Sequence, residues 1–418
     1  MNIRDPRQYD KVRAERRARH RFKKIRRGLY LLVVVLLLMS LLTYGAYARP
    51  LPKVDGRALT PATTAEQVAL SWPAQGQAAI GVTGQGVMAQ TASQQPVPTA
   101  SVTKLMLALA VLKKYPLQTG QTGPNIPITA ADVDIYNKYI SQDGSVVKVV
   151  PGQPLSQYQA LQAVLIPSGN NMADTLAIWA YGSMAEYHLA ANQIAKSLGM
   201  SQSTFAGDAG GLLPETVSTA HDIVLLGQAA LANPVIKEIV AQKSAEIPVS
   251  GLITNTNYLL GQAGIIGIKT GNTDQAGGCF VFAAERSLSD GQKVTTVGAI
   301  LGAPSRGQAI NNALPLLDSF YRGFTSTTVV AKGTVVGRYD LPWGGQVQAV
   351  TAQDTIVMNW RGSKANLKVN VNQLKIPQVA GAEAGTVTAQ TPYGQVSVPV
   401  VLSQPFVEPT WQWRVTRR

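Results

Sequence analysis

The spacing of apolar residues predicts helices over much of the chain. Apolar residues recurring every three to four positions, or long apolar runs, favour helix, whereas alternation favours strand. Residues 29–48 form an uncharged apolar run of about the length that crosses a bilayer as a helix. Further helices are predicted at residues 101–115, 157–165, 172–180, 184–198 and 221–232.

Strand patterns lie on both sides of this helical centre. Residues 78–82 and 87–89 are predicted to be two short strands around a Gly-rich turn, for which a hairpin is the simplest connection. Further strands are predicted at residues 267–270, 278–284 and 293–301, and strands flanking a helical centre indicate an α/β sandwich. Beyond about residue 324 the pattern predicts an all-β domain that acts as a spacer or interaction module, with strands at residues 328–330, 346–350, 355–360, 367–371, 385–389 and 395–402.

The 418 residues exceed a typical single domain, and we divide them into five segments. The stretch before the α/β domain is rich in Pro, Ala, Thr and Gln without a sustained period, which is typical of a linker. The predicted segments are a basic cytoplasmic tail (1–28), a transmembrane anchor or signal peptide (29–48), the linker (49–76), the α/β domain (77–325), and a β-rich domain with a C-terminal tail (326–418).

Most of the net charge of +14 precedes the apolar run. Basic residues between Arg4 and Arg27 predict a cytoplasmic N-terminus by the positive-inside rule, with everything after Arg49 outside the cytoplasm. Ala46-Tyr47-Ala48 also resembles a signal-peptidase site, but the long basic preface and apolar run favour an anchor. Basic and aromatic residues do not recur together later, so nucleic acid is not an expected partner.

Cysteine and histidine usage argues against metal or thiol chemistry. The single cysteine, Cys279, lies in an apolar run and is expected to be a buried core thiol. The three histidines lack a metal-ligand spacing. We expect neither a metal nor a cofactor.

Ser101-Val102-Thr103-Lys104 is the first candidate for chemistry. Residues three apart lie on one helical face, so the Lys104 amine can reach the Ser101 hydroxyl and act as a base. This role near neutral pH requires a lysine pKa lowered by about three units, through burial and a neighbouring cation. A second copy, Ser145-Val146-Val147-Lys148, follows a turn and is predicted to be a strand, where positions three apart face opposite sides.

Two further triplets carry polar groups. Ser168-Gly169-Asn170 precedes a predicted helix, where Ser168 either caps that helix or relays protons, and Asn170 can bind a substrate carbonyl. Lys269-Thr270-Gly271 follows an apolar, Gly-rich strand that a ligand can approach closely. Lys269 offers a cation and Thr270 a hydroxyl to an anionic substrate terminus. The alternative for this triplet is an edge strand with a solvated lysine.

Ser-x-x-Lys, Ser-x-Asn and Lys-Thr-Gly in this order resemble the signature of serine penicillin-recognising enzymes. From about residue 78 to residue 324 the chain is similar to the low-molecular-mass D-alanyl-D-alanine carboxypeptidases. The resemblance implies a β-lactamase/transpeptidase-like α/β sandwich followed by a small all-β domain. Supporting stretches are residues 98–101, 198–200, 204–205, 211–212, 218–222, 255–260 and 267–277.

The resemblance implies an acyl-enzyme on Ser101, with Lys104 as base and with Ser168 and Asn170 relaying protons and aligning substrate. D-alanine would leave first and water would then release the shortened peptide. The implied partners are peptidoglycan stem peptides ending in D-Ala-D-Ala, with β-lactams as covalent inhibitors.

The implied substrate-binding residues are Lys269, Thr270, Gly271 and Asn272. Lys269 and Thr270 would hold the terminal carboxylate. By position, the family's oxyanion hole would use the backbone N–H groups of Ser101 and Asn272.

Three departures from the family pattern stand out. Asn171 occupies a position where the family often has Asp, and Asn272 one where bulkier residues are frequent. A C-terminal amphipathic helix is not expected, because the chain ends in Trp411-Gln412-Trp413-Arg414 and a short basic tail. The N-terminal apolar run would be the anchor instead.

Other functions remain open with the same residues. A β-lactamase needs a carboxylate-activated water, for which we find no convincing Glu-x-x-Leu-Asn loop. Endopeptidase or transpeptidase action on cross-links requires no further residue. A non-catalytic wall-binding or β-lactam-sensing protein is the alternative from another class.

Overall fold

The computed structural model describes residues 6–417, so residues 1–5 and 418, including Arg4 of the predicted tail, lie outside the described part. The helices are α1 Pro6–Tyr47, α2 Lys104–Lys114, α3 Ala130–Ser141, α4 Gln157–Leu165, α5 Asn170–Tyr181, α6 Met184–Ser197, α7 Ala220–Ala232, α8 Pro234–Val240, α9 Arg306–Tyr321 and α10 Trp411–Thr416, and a 3₁₀ turn, Ala100–Thr103, precedes α2.

The strands are β1 Gly56–Ala58, β2 Gln77–Val82, β3 Gly86–Gln90, β4 Val97–Pro98, β5 Asn125–Pro127, β6 Pro154–Ser156, β7 Val217–Ser218, β8 Ser244–Ile247, β9 Gly251–Thr254, β10 Ile265–Thr273, β11 Gly277–Ser287, β12 Lys293–Ala303, β13 Phe324–Val330, β14 Val335–Asp340, β15 Gln346–Thr351, β16 Thr355–Trp360, β17 Asn366–Val371, β18 Glu383–Thr391 and β19 Gly394–Leu402.

A five-stranded antiparallel sheet, in the order β10-β11-β12-β2-β3, organises the α/β domain. Both faces of this sheet are covered, which explains why β11 is buried from Gly278 to Ala284 instead of alternating with polar residues. Successive side chains of β11 point to opposite faces. Cys279 and Val281 join the core that includes α2, α4, α5 and α7, whereas Phe280 and Phe282 join the core built on α9.

The sheet leaves β10 as an edge strand. This edge lies beside the 3₁₀ turn that begins α2, so the Lys-Thr-Gly strand and the Ser-x-x-Lys helix meet there. Helix α5 packs on α2 and brings its own N-terminus to the same place. The α/β sandwich predicted from the sequence is confirmed.

The C-terminal residues form a six-stranded sheet in the order β1-β14-β15-β19-β18-β17, with its own core around Tyr339 and Phe406. The all-β prediction is therefore confirmed. Strand β1 lies within the segment predicted as a linker. It forms the edge of this sheet, where Gly56 pairs with Tyr339. The Thr63 hydroxyl also donates to the carbonyl of Ala365, so this segment is a docked strand and loop and not a free linker.

The ribbon of β13 and β16 joins the two parts of the molecule. Trp360, at the end of β16, packs its ring 5.3 Å from Phe320 of α9 and donates its indole N–H to the Phe320 carbonyl. Because β13 begins at Phe324, this shared core crosses the boundary predicted at residues 325 and 326. The exact domain boundaries stay a prediction.

Helix α1 combines the described part of the basic tail with the apolar run in one continuous helix. Between Asp10 and Tyr47 it has the length and composition needed to cross a membrane, and none of its apolar stretch is buried against the protein. A signal sequence near an N-terminus has the same properties. The short helix α10 packs beside its C-terminal end, where the Arg414 guanidinium lies 4.8 Å from the Tyr47 ring centre.

Four described helices were not predicted: α3, α8, α9 and the six-residue α10 at Trp411–Thr416. The first three have a physical reason. Helix α3 buries little apolar surface, and its signal was the capping box formed by Thr129 and Asp132. Helix α8 is short and begins with Pro234, and α9 contains Pro315. The strand predicted at residues 145–148 is wrong, because this stretch forms neither a strand nor a helix.

Replacing Trp360 with Ala should destabilise the protein. Trp360 is 4% exposed and fills the core shared by α9 and the ribbon, so truncation leaves a cavity and should lower the free energy of unfolding by about 3 kcal/mol. Chemical denaturation followed by circular dichroism measures this change. Trp411→Ala, at a site 66% exposed, is the matched control and should change stability little. Equal effects of both substitutions would contradict the shared core.

Candidate active site

The candidate nucleophile Ser101 lies in the 3₁₀ turn at the start of α2. Ala100 before it has φ of 47°, a left-handed conformation that is unfavourable for a residue with a Cβ. Lys104 is the first residue of α2, and its Nζ lies 2.8 Å from the Ser101 Oγ. The structure therefore brings together the two side chains that the sequence paired.

Lys104 is fully buried and has two other close partners. Its Nζ lies 2.6 Å from the Asn170 Oδ1 and 2.6 Å from the Gly210 carbonyl oxygen. Burial lowers the pKa of Lys104 to about 7, although the carboxylates of Asp208 and Asp174 favour the charged form. At neutral pH a substantial fraction of Lys104 is thus neutral and able to accept a proton.

Two buried carboxylates hold the loop that supplies the Gly210 carbonyl. Asp174, one turn into α5, accepts a hydrogen bond from the Ala209 amide at 2.9 Å. Asp208 accepts hydrogen bonds from the Leu212 amide at 3.1 Å and the Leu213 amide at 2.7 Å. Gly210 therefore lies between Ala209 and Leu212, whose backbone N–H groups are each held by a buried carboxylate.

Ser168 and Lys269 form a second pair on the opposite wall. Lys269 Nζ donates to the Ser168 Oγ at 2.9 Å and to the Thr270 carbonyl at 2.9 Å. Ser168 has φ of 72°, another strained backbone position. The N-cap of α5 is Gly169, so Ser168 does not cap this helix. Its hydroxyl contacts Lys269 instead. Lys269 is buried and is not the solvated lysine of an edge strand.

Burial lowers the pKa of Lys269 well below its usual value, and the positive charges of Lys104 and Arg306 lower it further. Repulsion between the two lysines is mutual, so the pair favours states in which at least one is neutral. For Lys104 itself, burial is the main cause of its lowered pKa.

The edge strand β10 runs close to the nucleophile. A Cβ at Gly271 would lie 3.0 Å from the Ser101 amide nitrogen, which explains why a residue without a side chain stands there. The Thr270 hydroxyl lies 2.6 Å from the Thr256 hydroxyl. The exposed Asn272 accepts a hydrogen bond from the Arg306 amide at 3.1 Å and so connects β10 to the start of α9.

Asn171 points away from the candidate nucleophile. Its Oδ1 accepts from the Val147 amide and its Nδ2 donates to the Val147 carbonyl, both at 2.9 Å. An aspartate cannot donate in this way when ionised, which gives the amide a structural reason. These two hydrogen bonds also fix the second Ser-x-x-Lys copy in a stretch without helix or strand, where Lys148 is exposed.

Sequence reasoning missed five residues at this site: Gly210, Thr256, Arg306 and the two buried carboxylates, Asp174 and Asp208. Gly210 and Thr256 act through a backbone carbonyl and a neighbouring hydroxyl, which leave little signal in a single sequence. The pair Gly210-Gly211 was the sequence signal available for this loop, because adjacent glycines indicate a backbone that other residues cannot adopt. Gly211 has φ of 73° and approaches the Ala100 carbonyl closely.

Comparisons with known proteins identify a family that this chain matches. The family described as D-alanyl-D-alanine carboxypeptidase, Peptidase_S11, matches residues 63–304. D-alanyl-D-alanine carboxypeptidase DacB2 of Mycobacterium tuberculosis is 36% identical over 196 residues, 45% of this chain and 62% of the relative, so less than two thirds of that relative is matched. D-alanyl-D-alanine carboxypeptidase DacC of Escherichia coli is 27% identical over 73% of this chain and 76% of the relative.

Solved structures show the same fold. The Streptomyces K15 DD-transpeptidase superposes with a TM-score of 0.51 and 25% identity, covering 61% of this chain and 98% of that one. Penicillin binding protein 5 from Haemophilus influenzae covers 83% of this chain and 99% of its own, with a TM-score of 0.54 at 18% identity.

The fold, with a serine, two lysines and an asparagine converging beside an edge strand, defines a penicillin-recognising serine enzyme of the DD-peptidase class. The chain belongs to the D-alanyl-D-alanine carboxypeptidase family, Peptidase_S11. Members of this family are serine-type hydrolases.

The pH dependence of acylation should report the lowered pKa of Lys104. If neutral Lys104 accepts the Ser101 proton, the rate should rise with pH and reach half its maximum near the pKa of about 7. Asp208→Asn removes a charge that favours protonated Lys104, so its profile should move to lower pH. The measurement is the second-order rate constant for labelling by a fluorescent penicillin.

Asp290→Asn, in an exposed turn, is the matched control for the loss of a carboxylate and should leave the profile unchanged. A rate that stays constant from about pH 5 to pH 9 would exclude Lys104 as the base.

Proposed function

We propose that this chain removes the terminal D-alanine from peptidoglycan stem peptides ending in D-Ala-D-Ala, through an acyl-enzyme on Ser101. The observation that carries the proposal is the 2.8 Å contact between the Ser101 hydroxyl and the buried Lys104 amine. Membership of a carboxypeptidase family supplies the substrate class.

In the acylation step, neutral Lys104 takes the hydroxyl proton while Ser101 Oγ attacks the carbonyl carbon of the penultimate D-alanine. The negative oxygen that develops is stabilised by the backbone N–H groups of Ser101 and Asn272. The C–N bond then breaks, and the leaving amine of D-alanine takes up a proton. Ser168 and Asn170, which contact the two lysines, relay that proton and align the substrate.

In the deacylation step, a water molecule attacks the ester carbonyl and gives a proton to Lys104. The ester bond breaks, Ser101 regains its hydroxyl, and the peptide leaves with a new carboxylate. Asn170 supports this step because its hydrogen bond holds the Lys104 amine beside Ser101.

The terminal carboxylate of the substrate binds against β10. Thr270 donates its hydroxyl, the neighbouring Lys269 contributes positive charge, and Gly271 and Asn272 provide backbone for an extended peptide. Arg306 adds a further cation on this side, in line with its effect on the pKa of Lys269. A cluster of this kind favours a free C-terminal carboxylate over an internal peptide bond.

The proposed location is the outer face of the cytoplasmic membrane, with α1 as a single-pass anchor and its N-terminus inside. The basic residues before the apolar run support this orientation. Penicillins act as covalent inhibitors because they acylate the same serine.

The decisive assay measures D-alanine release from a pentapeptide ending in D-Ala-D-Ala. Ser101→Ala should lower the rate by roughly 10⁴-fold or more, because no other group forms the acyl-enzyme. Ser145→Ala, in the second Ser-x-x-Lys copy, is the matched control and should retain full activity. Equal release from wild type and Ser101→Ala would remove Ser101 from the mechanism.

The same preparations distinguish the alternatives. A slowly hydrolysed penicilloyl adduct on Ser101 supports the carboxypeptidase, whereas rapid turnover of penicillin would indicate a β-lactamase. Penicillin labelling without any D-alanine release would favour a binding or sensing protein.

The anchor makes a separate prediction. Protein purified from membranes should retain residues 1–48, and detergent should be needed to release it, because α1 stays in the bilayer. Mass spectrometry of the N-terminal peptide measures this directly. A mature N-terminus at Arg49 would show that the segment is a cleaved signal peptide.

A further inference from the structure

Tyr139, in the last turn of α3, is a buried tyrosine that takes no part in the acyl-enzyme steps. Its side chain is 1% exposed, and its hydroxyl donates to the Asp174 Oδ2 at 2.7 Å. Burial and the nearby carboxylates raise the pKa of Tyr139 well above its usual value. The hydroxyl therefore keeps its proton and remains a donor to Asp174.

The Asp174 carboxylate connects this hydroxyl to the loop at Lys104. Its Oδ1 accepts from the Ala209 amide at 2.9 Å, and the carbonyl oxygen of the next residue, Gly210, lies 2.6 Å from the Lys104 Nζ. Burial raises the pKa of Asp174, whereas the hydrogen bonds from Tyr139 and Ala209 oppose that rise. One of the two groups that stabilise the ionised carboxylate is thus the Tyr139 hydroxyl.

The backbone of Tyr139 supports another partner of Lys104, the Asn170 side chain. The Tyr139 carbonyl accepts from the Gly144 amide at 2.8 Å. Gly144 lies against Asn170, since a Cβ at Gly144 would be 2.9 Å from the Asn170 Nδ2. The next carbonyl along the chain, that of Ser145, accepts from the Asn170 amide at 2.7 Å. Tyr139 therefore contacts the supports of two of the groups that hold the lysine.

Helix α3 is tied to α5 at both of its ends. In the first turn of α3, the Asp132 Oδ1 accepts from the Thr175 hydroxyl at 2.8 Å. In the last turn, Tyr139 donates to Asp174. A side chain held in this way on packed helices can position a neighbouring site precisely.

Several charged or titratable groups face Asp174 from the elements packed around it. Lys138 of α3 lowers its pKa, and Asp208 of the loop raises it. Tyr187 of α6 also interacts with this carboxylate, but burial raises the pKa of Tyr187, which keeps it neutral. On α2 the interacting group is Lys104, whose charged form Asp174 favours.

Lys104 is the group whose titration reports a change at Asp174. The carboxylates of Asp174 and Asp208 favour its ammonium form, whereas the positive charge of Lys269 disfavours it. Loss of charge at Asp174, or of the Gly210 carbonyl as an acceptor, therefore lowers the pKa of Lys104.

We propose that Tyr139 is a positioning residue for acylation. Its hydroxyl holds the Asp174 carboxylate, which holds the loop that carries the Gly210 carbonyl. That carbonyl in turn keeps the Lys104 amine beside the nucleophile. The inference rests on the proposed function, because it takes Lys104 as the base.

Tyr139→Phe tests this role, because it keeps the ring and removes the donor. Without this donor Asp174 is more easily protonated and its loop is less well held, and both changes lower the pKa of Lys104. The midpoint of the pH profile for labelling by a fluorescent penicillin should move about one unit to lower pH. The maximal rate should fall roughly tenfold, because the lysine is less well placed.

Tyr339→Phe, in the C-terminal sheet, is the matched control. Tyr339 is 0% exposed, and its hydroxyl donates to the Asn372 carbonyl at 2.7 Å, so the same substitution also removes a buried hydrogen bond. Its melting temperature should fall, but its pH profile and maximal rate should match those of the wild type. An unshifted profile for Tyr139→Phe, or an equal shift in both variants, would overturn the proposal.

Asp174→Asn tests the route through the carboxylate. It removes the charge at nearly constant shape and should also move the midpoint to lower pH. Adding Tyr139→Phe to this variant should cause no further shift, because the carboxylate on which the hydroxyl acts is gone. Additive shifts would contradict a route through Asp174.

Failure of the proposed function would be distinguishable. Labelling of Ser101 does not require D-alanine release, so the test holds even if no peptide is trimmed. A wild-type labelling rate that does not change with pH would remove Lys104 as the base. NMR titration of the Lys104 side chain then tests the positioning without turnover: a lower pKa in Tyr139→Phe would support it, and an unchanged pKa would overturn it.

Discussion

Two lysine amines buried in one cleft are the constraint on which the catalytic domain depends. A buried ammonium group is costly unless it is neutralised or receives several hydrogen bonds, and two such groups also repel each other. The protein meets this constraint by giving each amine acceptors from separate parts of the chain. Lys104 contacts a serine, an asparagine and a backbone carbonyl, and Lys269 contacts Ser168 and its own strand.

Those acceptors come from elements that must approach closely, and this requirement explains the unusual backbone of the site. Gly211 has φ of 73°, and a Cβ there would lie 2.1 Å from the Ala100 carbonyl oxygen. Ala100 and Ser168 are non-glycine residues in left-handed conformations beside the cleft. Their strain is maintained by the packing of α2, α5 and β10 around the lysines, so packing that looks purely structural positions the chemistry.

The sequence alone predicted the sandwich and the chemistry-bearing triplets, because apolar periodicity and short motifs are local signals. The residues that complete the site lie far from the triplets in the sequence. Gly210 contributes only its carbonyl, and the backbone N–H of Arg306 donates to the side chain of Asn272 on β10. Sequence context distinguished the second Ser-x-x-Lys copy from the first, although the strand predicted there is an irregular segment that Asn171 holds through two hydrogen bonds to Val147. The pairing of β1 with β14 was also beyond prediction, since three residues carry little pattern.

The docking of β1 limits how far the enzyme can reach. Eight residues, 48–55, separate the end of α1 from β1, and at full extension they span only about 30 Å. With α1 as the proposed anchor, this connection would keep β1 within about 30 Å of the end of the membrane helix, and α10 packs beside that end at Tyr47. With such an anchor, this connection would limit the height above the membrane at which the catalytic domain can act.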